Sequence, residues 1–177
     1  YIKNITIAGS FRRKKETVRD LDIVATSSKP SSAMDYFTAY EDVDIVTAKG
    51  HTKSHVILTS GMQVDFRIVP VKRYGAALDY LTGSKEHNIA VRVMAVKKKL
   101  TINEYGVFKG KKQIAGATEE SVYKQVGLPY IEPELRENRG EIELGVKGKL
   151  PKLVSLDDIQ GDLHMHSTYS DGRNSVE

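Results

Sequence analysis

The sequence of 177 residues contains no cysteine. The chain therefore forms no disulfide and offers no thiolate to a metal, which fits a reducing compartment such as the cytoplasm. It also has no run of about 18 apolar residues, so no segment is predicted to cross a membrane. The first residues show neither a signal-peptide pattern nor an initiator methionine, and we interpret the sequence as a piece of a longer chain.

The composition permits a folded core and favours an anionic partner. Hydrophobic residues make up 40% of the chain, which is enough for one domain or two small ones. The net charge of +4 favours binding to a polyanion, although the excess alone is a weak signal.

Alternating and helical patterns divide the chain into strands and helices. Strands are predicted at residues 3–8, 21–26, 43–48, 54–59, 63–69, 102–108 and 113–114. Helices are predicted at residues 33–40, 71–81, 85–99 and 118–126. Thr118 is a candidate cap for the last helix, and Gly127 is its expected end. Residues from 129 onward are expected to be irregular.

The stretch from Gly9 to Asp22 carries the strongest chemical signal. A Gly9-Ser10 turn follows an apolar strand, four cations come next, and the run ends on Asp20 and Asp22. Because alternate side chains of a strand project from one face, the two carboxylates lie side by side. Carboxylate oxygens of this kind suit Mg²⁺ or Mn²⁺ completed by substrate phosphates.

A third acid belongs with this pair. Asp65 lies in the middle of an apolar strand, where an uncompensated carboxylate is costly. Three carboxylates can hold two divalent ions for an in-line displacement, while Ser10 and Arg13 are candidates to hold phosphates. The alternative is a surface strand whose acids cap a turn. A similar pair, Asp42 and Asp44, has no Gly-Ser turn before it, and we interpret it as an exposed strand start.

These motifs resemble a known family. Gly-Ser-Phe-Arg-Arg, Asp-Leu-Asp and Val-Asp-Phe-Arg are similar to the palm of the family X DNA polymerases, the group that includes DNA polymerase beta. Tyr-Leu-Thr-Gly-Ser and Thr-Ile-Asn-Glu-Tyr are similar to the family's nucleotide-selecting thumb, and the likeness covers roughly residues 5–140. The resemblance implies an α+β fold, with a palm of mixed β-sheet flanked by helices and a smaller α+β subdomain. The implied boundaries are 1–72 for the palm, 73–144 for the thumb, 145–160 for a linker and 161–177 for the start of another domain.

The resemblance also implies roles for single residues. Asp20, Asp22 and Asp65 would be the catalytic carboxylates and hold two Mg²⁺ or Mn²⁺ ions. Arg67 would pair with Asp22 when the site is idle. The remaining implied contacts to nucleotide are those of Gly9, Ser10, Arg13, Tyr80, Gly83 and Asn88, and the implied contact to the template strand is that of Arg92.

Helical spacing supports part of this interpretation. Residues four apart share a helix face, and one basic face is expected to hold Lys85, Asn88, Arg92 and Lys99. The apolar stripe of Ile89, Val93 and Val96 lies on another face and is expected to pack. An ordinary amphipathic helix with a solvated basic face is the alternative.

The sequence departs from the family pattern at three positions. Arg19 stands where polymerase beta has a small residue, Lys14 replaces a glycine, and Lys85 replaces an acid. The first two changes affect the cradle for phosphate, and the third adds positive charge beside the nucleotide. The resemblance therefore leaves nucleotide choice open.

A second signal lies at the end of the chain. Residues 161–172 resemble the first motif of the PHP (polymerase and histidinol phosphatase) phosphoesterase domain, in which His164, His166 and Asp171 would ligate metals. The remaining ligands are absent, so this site is expected only in the parent protein and the tail is expected to be loosely attached. His51, His55 and His87 form no convincing ligand set.

The resemblance thus implies a fragment of a DNA-directed DNA polymerase that acts on primer–template or gapped DNA with deoxynucleoside triphosphates. Two alternatives remain open. One is a nucleotidyltransferase that acts on a small molecule or a protein, and the other is a non-catalytic DNA-binding module. The expected location is cytoplasmic, with no membrane partner, and the isolated fragment is expected to be a weak enzyme. The sequence leaves the oligomeric state open.

Overall fold

The computed structural model describes residues 2–161 and 164–175. Its two sheets pack with helices, and the predicted α+β fold class is confirmed. The larger sheet comprises β1 (Ile2–Ile7), β2 (Asp20–Ser27), β3 (Val43–Lys49), β4 (Lys53–Leu58) and β5 (Gln63–Ile68). The smaller comprises β6 (Thr101–Asn103), β7 (Gly106–Lys109) and β8 (Lys112–Ala115). The α-helices are α1 (Gly9–Arg12), α2 (Pro30–Thr38), α3 (Tyr74–Thr82), α4 (Lys85–Lys97), α5 (Glu119–Val126) and α6 (Glu141–Val146).

The larger sheet is mixed, with strand order β1-β2-β5-β4-β3. Strands β2 and β5 run parallel, while the other neighbours are antiparallel. Because parallel strands begin at the same edge, the first residues of β2 and β5 lie next to each other. The acidic residues of both strands are therefore brought to one edge of the sheet.

Helices cover both faces of this sheet. On one face, Met34 of α2 packs with Ala25 and Phe66, and the ring of Phe37 meets that of Phe66 edge-on at 5.0 Å. On the other face, α3 packs its apolar residues on the sheet, and the buried members of this cluster are Ala8, Val24, Ala77 and Leu78. The second face is the one that carries the acidic residues, so α3 stands beside them.

A separate core holds the C-terminal part together. Val107 of β7, Tyr123 of α5 and Ile131 are fully buried within it. The Oγ1 of Thr118 accepts a hydrogen bond from the backbone N–H of Ser121 at 3.2 Å, and Gly127 ends α5 in the left-handed conformation, both as the sequence predicts. Among the described residues, no helix has the length and apolarity required to cross a membrane.

The orientation predicted for α4 is wrong. The stripe expected to pack is exposed, with exposed fractions of 47% for Ile89, 50% for Val93 and 70% for Val96. The buried face instead carries His87, Asn88, Val91 and Ala95. The polar members of this face are buried because they have partners: His87 bonds Glu141 at 2.6 Å and the hydroxyl of Tyr123 at 2.9 Å.

Other boundaries also differ from the sequence predictions. The Gly9-Ser10 turn opens the short helix α1, and α6 forms within the stretch expected to be irregular. Residues 102–108 form a hairpin of two strands instead of one strand. Lys99 does not share a helix face with Arg92, because α4 ends at Lys97 and Lys99 adopts a positive φ of 57° in the following turn.

Candidate active site

Gly9 lies directly over one of the predicted carboxylates. Its φ of +63° favours glycine, and a Cβ at this position would lie 2.6 Å from the Oδ2 of Asp22. The backbone N–H of Ala8 donates to the carbonyl of Asp22 at 2.6 Å. The turn between β1 and α1 therefore sits against Asp22, and any side chain at Gly9 would displace the carboxylate.

The structure brings the acidic residues to one face. Asp22 pairs in register with Asp65 across the parallel strands, and Asp20 pairs with Gln63 at the strand starts. Residues paired in this way project from the same side of a sheet. Burial raises the pKa of Asp22 to about 6, and the negative charges of Asp20 and Asp65 add to the increase. Negative charge is thus concentrated at this point of the protein.

Cations line the same region without pairing with Asp22. Lys53 and Arg67 border a cavity of about 140 Å³ together with Asp22 and Asp65. Their positive charges oppose the increase in the pKa of Asp22. In residues 2–161 and 164–175, Arg67 forms no ion pair with a carboxylate, and its pairing with Asp22 in an idle site stays a prediction.

A neighbouring cleft of about 300 Å³ lies between the predicted palm and the predicted thumb. It shares Asp22 and Leu81 with the smaller cavity, so the two form one continuous region. Ten residues proposed from the sequence line it: Gly9, Ser10, Arg13, Asp20, Asp22, Tyr80, Gly83, Lys85, Asn88 and Arg92. Lys99 is the one predicted contact that lies apart, in the turn after α4.

Arg13 is anchored at the rim of this cleft. Its Nε donates to the Oε1 of Glu137 at 2.8 Å, and its Nη1 donates to the carbonyl of Thr82. The Nζ of Lys15 lies 3.6 Å from the same oxygen of Glu137. Because two of its hydrogen-bonding groups are engaged by the protein, the Arg13 guanidinium is held in a defined orientation in the cleft that Asp22 also lines. The sequence analysis missed Glu137, which lies far away along the chain.

The thumb side of the cleft is built by α3 and the start of α4. The Nδ2 of Asn88 donates to the carbonyl of Tyr80 at 2.8 Å, and the guanidinium of Arg92 lies 5.4 Å from the Tyr80 ring centre. Ser84 caps α4 by accepting from the backbone N–H of His87 at 3.2 Å. These contacts fix Tyr80, Asn88 and Arg92 relative to one another on one wall.

A buried ionic network connects the predicted palm to the predicted thumb. Arg12 of α1 donates to both carboxylate oxygens of Glu119 at 2.8 and 2.6 Å. The Nη1 of Arg136 donates to Glu119 at 2.7 Å and to Asp79 at 3.3 Å. Burial raises the pKa of Asp79 to about 6, while Arg12 and Arg136 outweigh the effect of burial on Glu119 and hold its pKa below the usual value. Sequence patterns missed this network because its members are spread over residues 12–136.

The comparison with protein families matches this architecture. The family model described as DNA polymerase beta thumb matches residues 77–137. The chain is also 38% identical, over 180 aligned residues and 99% of its length, to the DNA polymerase/3'-5' exonuclease PolX of Bacillus subtilis. The chain belongs to the family X DNA polymerases. Residues 77–137 hold most of α3 together with α4, the smaller sheet and α5, so the family X match falls on the wall that carries Tyr80, Asn88 and Arg92.

More distant relatives cover less of this family X chain. It is 28% identical to DNA polymerase lambda of Rattus norvegicus over 73% of its length, and 27% identical to DNA polymerase lambda of Arabidopsis thaliana over 75%. The chain spans only 31%, 28% and 32% of the lengths of the Bacillus, rat and Arabidopsis proteins. It corresponds to about a third of each of these relatives.

The tail carries the second predicted cluster. The Nδ1 of His166 lies 2.5 Å from the Oδ1 of Asp171, and its Nε2 lies 2.7 Å from the Nε2 of His164. All three residues are exposed. Asp162 and Leu163, which belong to the same motif, lie outside the described residues. Within the described ranges, no group of three or more His, Asp or Glu side chains is arranged to hold a metal ion, at the tail or in the palm.

Proposed function

We propose that the chain carries the palm and thumb of a DNA-directed DNA polymerase that adds deoxynucleotides to a primer 3′-hydroxyl. The observation that carries this proposal is the in-register placement of Asp22 and Asp65 beside a cleft that also contains Arg13 and the thumb wall. A small-molecule or protein acceptor would leave the wall of Tyr80, Asn88 and Arg92 without a purpose, and a DNA-binding module would not need clustered carboxylates.

The palm residues fit divalent cations. Asp20, Asp22 and Asp65 offer only oxygen ligands, which Mg²⁺ and Mn²⁺ prefer. The pKa of Asp22 is raised by burial first and by the negative charges of Asp20 and Asp65 second, and the positive charges of Arg67 and Lys53 oppose this increase. Because no three side chains chelate an ion by themselves, we propose that substrate phosphates complete the coordination. Two such ions, when bound, would activate the 3′-hydroxyl and stabilise the leaving group.

The residues of the cleft have different roles in the proposed nucleotidyl transfer. The 3′-oxygen attacks the α-phosphorus, the bond to the β-phosphate breaks, and pyrophosphate leaves. Asp65 orients the 3′-hydroxyl and accepts its proton. Ser10 and Arg13 hold the β- and γ-phosphates, since a guanidinium matches phosphate oxygens with parallel hydrogen bonds. Tyr80, Gly83 and Asn88 contact the sugar and base. Arg92 contacts the template strand, and Lys85 and Lys99 contribute to DNA binding.

The wider setting follows from the same proposal. The Bacillus relative is named both a DNA polymerase and a 3'-5' exonuclease. We propose that the parent of this chain likewise carries a PHP nuclease domain that begins near residue 161 and completes a metal site with His164, His166 and Asp171. Gap filling during DNA repair in the cytoplasm would suit such a protein.

Primer extension tests the reaction directly. The 177-residue chain is incubated with gapped DNA, deoxynucleoside triphosphates and Mn²⁺, and products are separated on a denaturing gel. Template-directed extension supports the proposal. Transfer to a small nucleophile in place of DNA would support the second transferase class. Tight DNA binding with no transfer under any divalent ion would favour a binding module.

We expect DNA binding to depend strongly on salt. Three phosphate contacts, from Lys85, Arg92 and Lys99, correspond to a loss of affinity of about 40-fold between 50 and 200 mM salt, because bound counterions are released. Substituting Lys99→Gln is expected to reduce the slope of log affinity against log salt by about one. Fluorescence anisotropy of labelled DNA measures both.

Lys152→Gln is the matched control for Lys99→Gln. Lys152 pairs with Asp158 in the connector and lies far from the cleft in sequence. The slope should not change for this variant. If the slope is equal for wild type and both variants, Lys99 does not contact a phosphate. If the affinity is the same at both salt concentrations, the proposed phosphate contacts of Lys85, Arg92 and Lys99 are all contradicted.

A further inference from the structure

One carboxylate oxygen of Asp65 is held by two side chains. The Nδ1 of His55 lies 2.5 Å from the Oδ1 of Asp65, and the Nε2 of Gln63 donates to the same oxygen at 3.1 Å. The other oxygen, Oδ2, has no hydrogen-bond partner within the part of the chain that the structure describes. The carboxylate therefore presents one engaged oxygen and one available oxygen.

The strands of the palm produce this arrangement. His55 of β4 and Asp65 of β5 are register partners across an antiparallel pair, so their side chains leave the same face. Asp65 is in turn the register partner of Asp22 in β2. His55, Asp65 and Asp22 thus form a row across three strands, with Asp65 in the middle. The side chains of His55 and Asp65 are both about three-quarters buried, with exposed fractions of 23% and 25%.

Two donors on one oxygen restrict the carboxylate more than one donor would. The terminal torsion of an aspartate is broad, so a carboxylate with free oxygens rotates readily. Two donors that approach Oδ1 from different directions fix the plane of the carboxylate. Because the group is planar, the direction of Oδ2 is then fixed as well. Groups that hold ligating or catalytic carboxylates in this way contribute strongly to metal affinity and activity.

We propose that His55 is a positioning residue for Asp65, holding Oδ1 so that Oδ2 is presented to the metal and the primer 3′-hydroxyl. This inference rests on the proposed polymerase function. It requires only an N–H on Nδ1, which both the cationic imidazole and one neutral tautomer provide. The sequence analysis assigned His55 no role, because its spacing to other histidines suggests no ligand set.

Three substitutions separate positioning from a structural role. His55→Leu removes the donor and keeps an apolar side chain of similar size on the strand. His55→Asn places an amide N–H where Nδ1 lies, whereas His55→Gln places it nearer to the position of Nε2. If the donor to Oδ1 is what matters, activity should follow the order of wild type and Asn above Gln and Leu.

The expected result is a change in turnover more than in substrate affinity. His55→Leu should lower kcat for single-nucleotide primer extension by about 10- to 100-fold, the usual cost of losing such a supporting contact. The KM for the deoxynucleoside triphosphate should stay within about threefold, since His55 lies away from the cleft that holds Arg13 and the thumb wall. His55→Asn should restore kcat to within about threefold of wild type.

A second readout does not depend on turnover. Binding of Mn²⁺ is followed by the electron paramagnetic resonance signal of the free ion. His55→Leu is expected to reduce the affinity of the protein for Mn²⁺ by about tenfold. Circular dichroism melting of each variant monitors folding. If the Leu variant fails to fold, the comparison of the two amide variants, Asn and Gln, decides the question.

The outcomes are distinct. If wild type extends primers and the Leu and Gln variants match it in kcat and Mn²⁺ affinity, His55 does not position Asp65 and only this inference fails. If Asn is as impaired as Leu, the imidazole has another role and the inference also fails. If wild type neither extends primers nor binds Mn²⁺ in the palm, the proposed function fails instead.

Discussion

Substituting Asp22→Asn is expected to reduce the rate of primer extension by about 10³-fold or more. Of the substitutions considered, this one is expected to reduce activity the most. Asp22 lies between Asp20 and Asp65, so its carboxylate is central to any shared metal site. Metal-ion stabilisation of transition-state charge contributes several kcal/mol, and each 1.36 kcal/mol changes the rate tenfold. Single-turnover extension on gapped DNA with Mg²⁺ or Mn²⁺ measures the loss.

The folded state should tolerate this change. An amide at position 22 is not repelled by Asp20 and Asp65, so the melting temperature should be equal to or higher than that of wild type. The chain offers a matched control in Asp44→Asn, because Asp44 is exposed on the edge strand β3 and forms an equally spaced acidic pair with Asp42 in the preceding turn. Asp44→Asn should retain full activity. Equal losses for both variants, or an Asp22→Asn variant as active as wild type, would contradict the assignment.

The largest effect on stability is expected from Arg136→Met. Arg136 is fully buried and its Nη1 bonds both Glu119 and Asp79. Its removal leaves two carboxylates without one of their partners in the interior, and breaking such a buried pair costs about 3–5 kcal/mol. For a chain of this size we expect the melting temperature to fall by about 6–20 °C. Differential scanning calorimetry measures the shift.

The matched control and a rescue variant identify the cause of this effect. Lys14→Met breaks the ion pair of Lys14 with Glu134, which is solvent-exposed on the lysine side, and should leave the melting temperature nearly unchanged. Adding Asp79→Asn to Arg136→Met neutralises the carboxylate that loses its ion-pair partner, while Glu119 keeps its pair with Arg12, and this should recover part of the loss. A fall of equal size in the variant that combines Arg136→Met with Asp79→Asn would show that lost packing, and not an unpaired charge on Asp79, is responsible.

The strand pattern and the acidic motifs could be predicted because they are local. Asp20 and Asp22 reveal their common face by alternation, and Asp65 stands out as a charge in an apolar strand. The Thr118 cap and the Gly127 end of α5 are likewise encoded within a few residues. The family resemblance implied what spacing alone does not, namely that Asp65 shares one site with Asp20 and Asp22.

The features that were missed depend on contacts between distant residues. Apolar periodicity placed Ile89, Val93 and Val96 inside, but the partners Glu141 and Tyr123 make burial of His87 favourable and turn α4 the other way. Burial of a polar group is decided by its partners, which a hydrophobic pattern does not contain.

The same limit applies to the groups that support the site. His55 reaches Asp65 through strand pairing, and Glu137 reaches Arg13 from more than a hundred residues away. Neither residue type is unusual where it stands in the sequence. Their importance appears only when the sheet register and the packing of the thumb on α1 are known.

A crystal structure of the protein soaked with Mn²⁺ and a non-hydrolysable deoxynucleoside triphosphate tests the central claim most directly. The account predicts anomalous Mn²⁺ density in contact with carboxylate oxygens of both Asp22 and Asp65, with Arg13 on the outer phosphates of the nucleotide. Mn²⁺ bound at another site, or nucleotide bound away from the Arg13 cleft while Asp22 and Asp65 hold no ion, would contradict it.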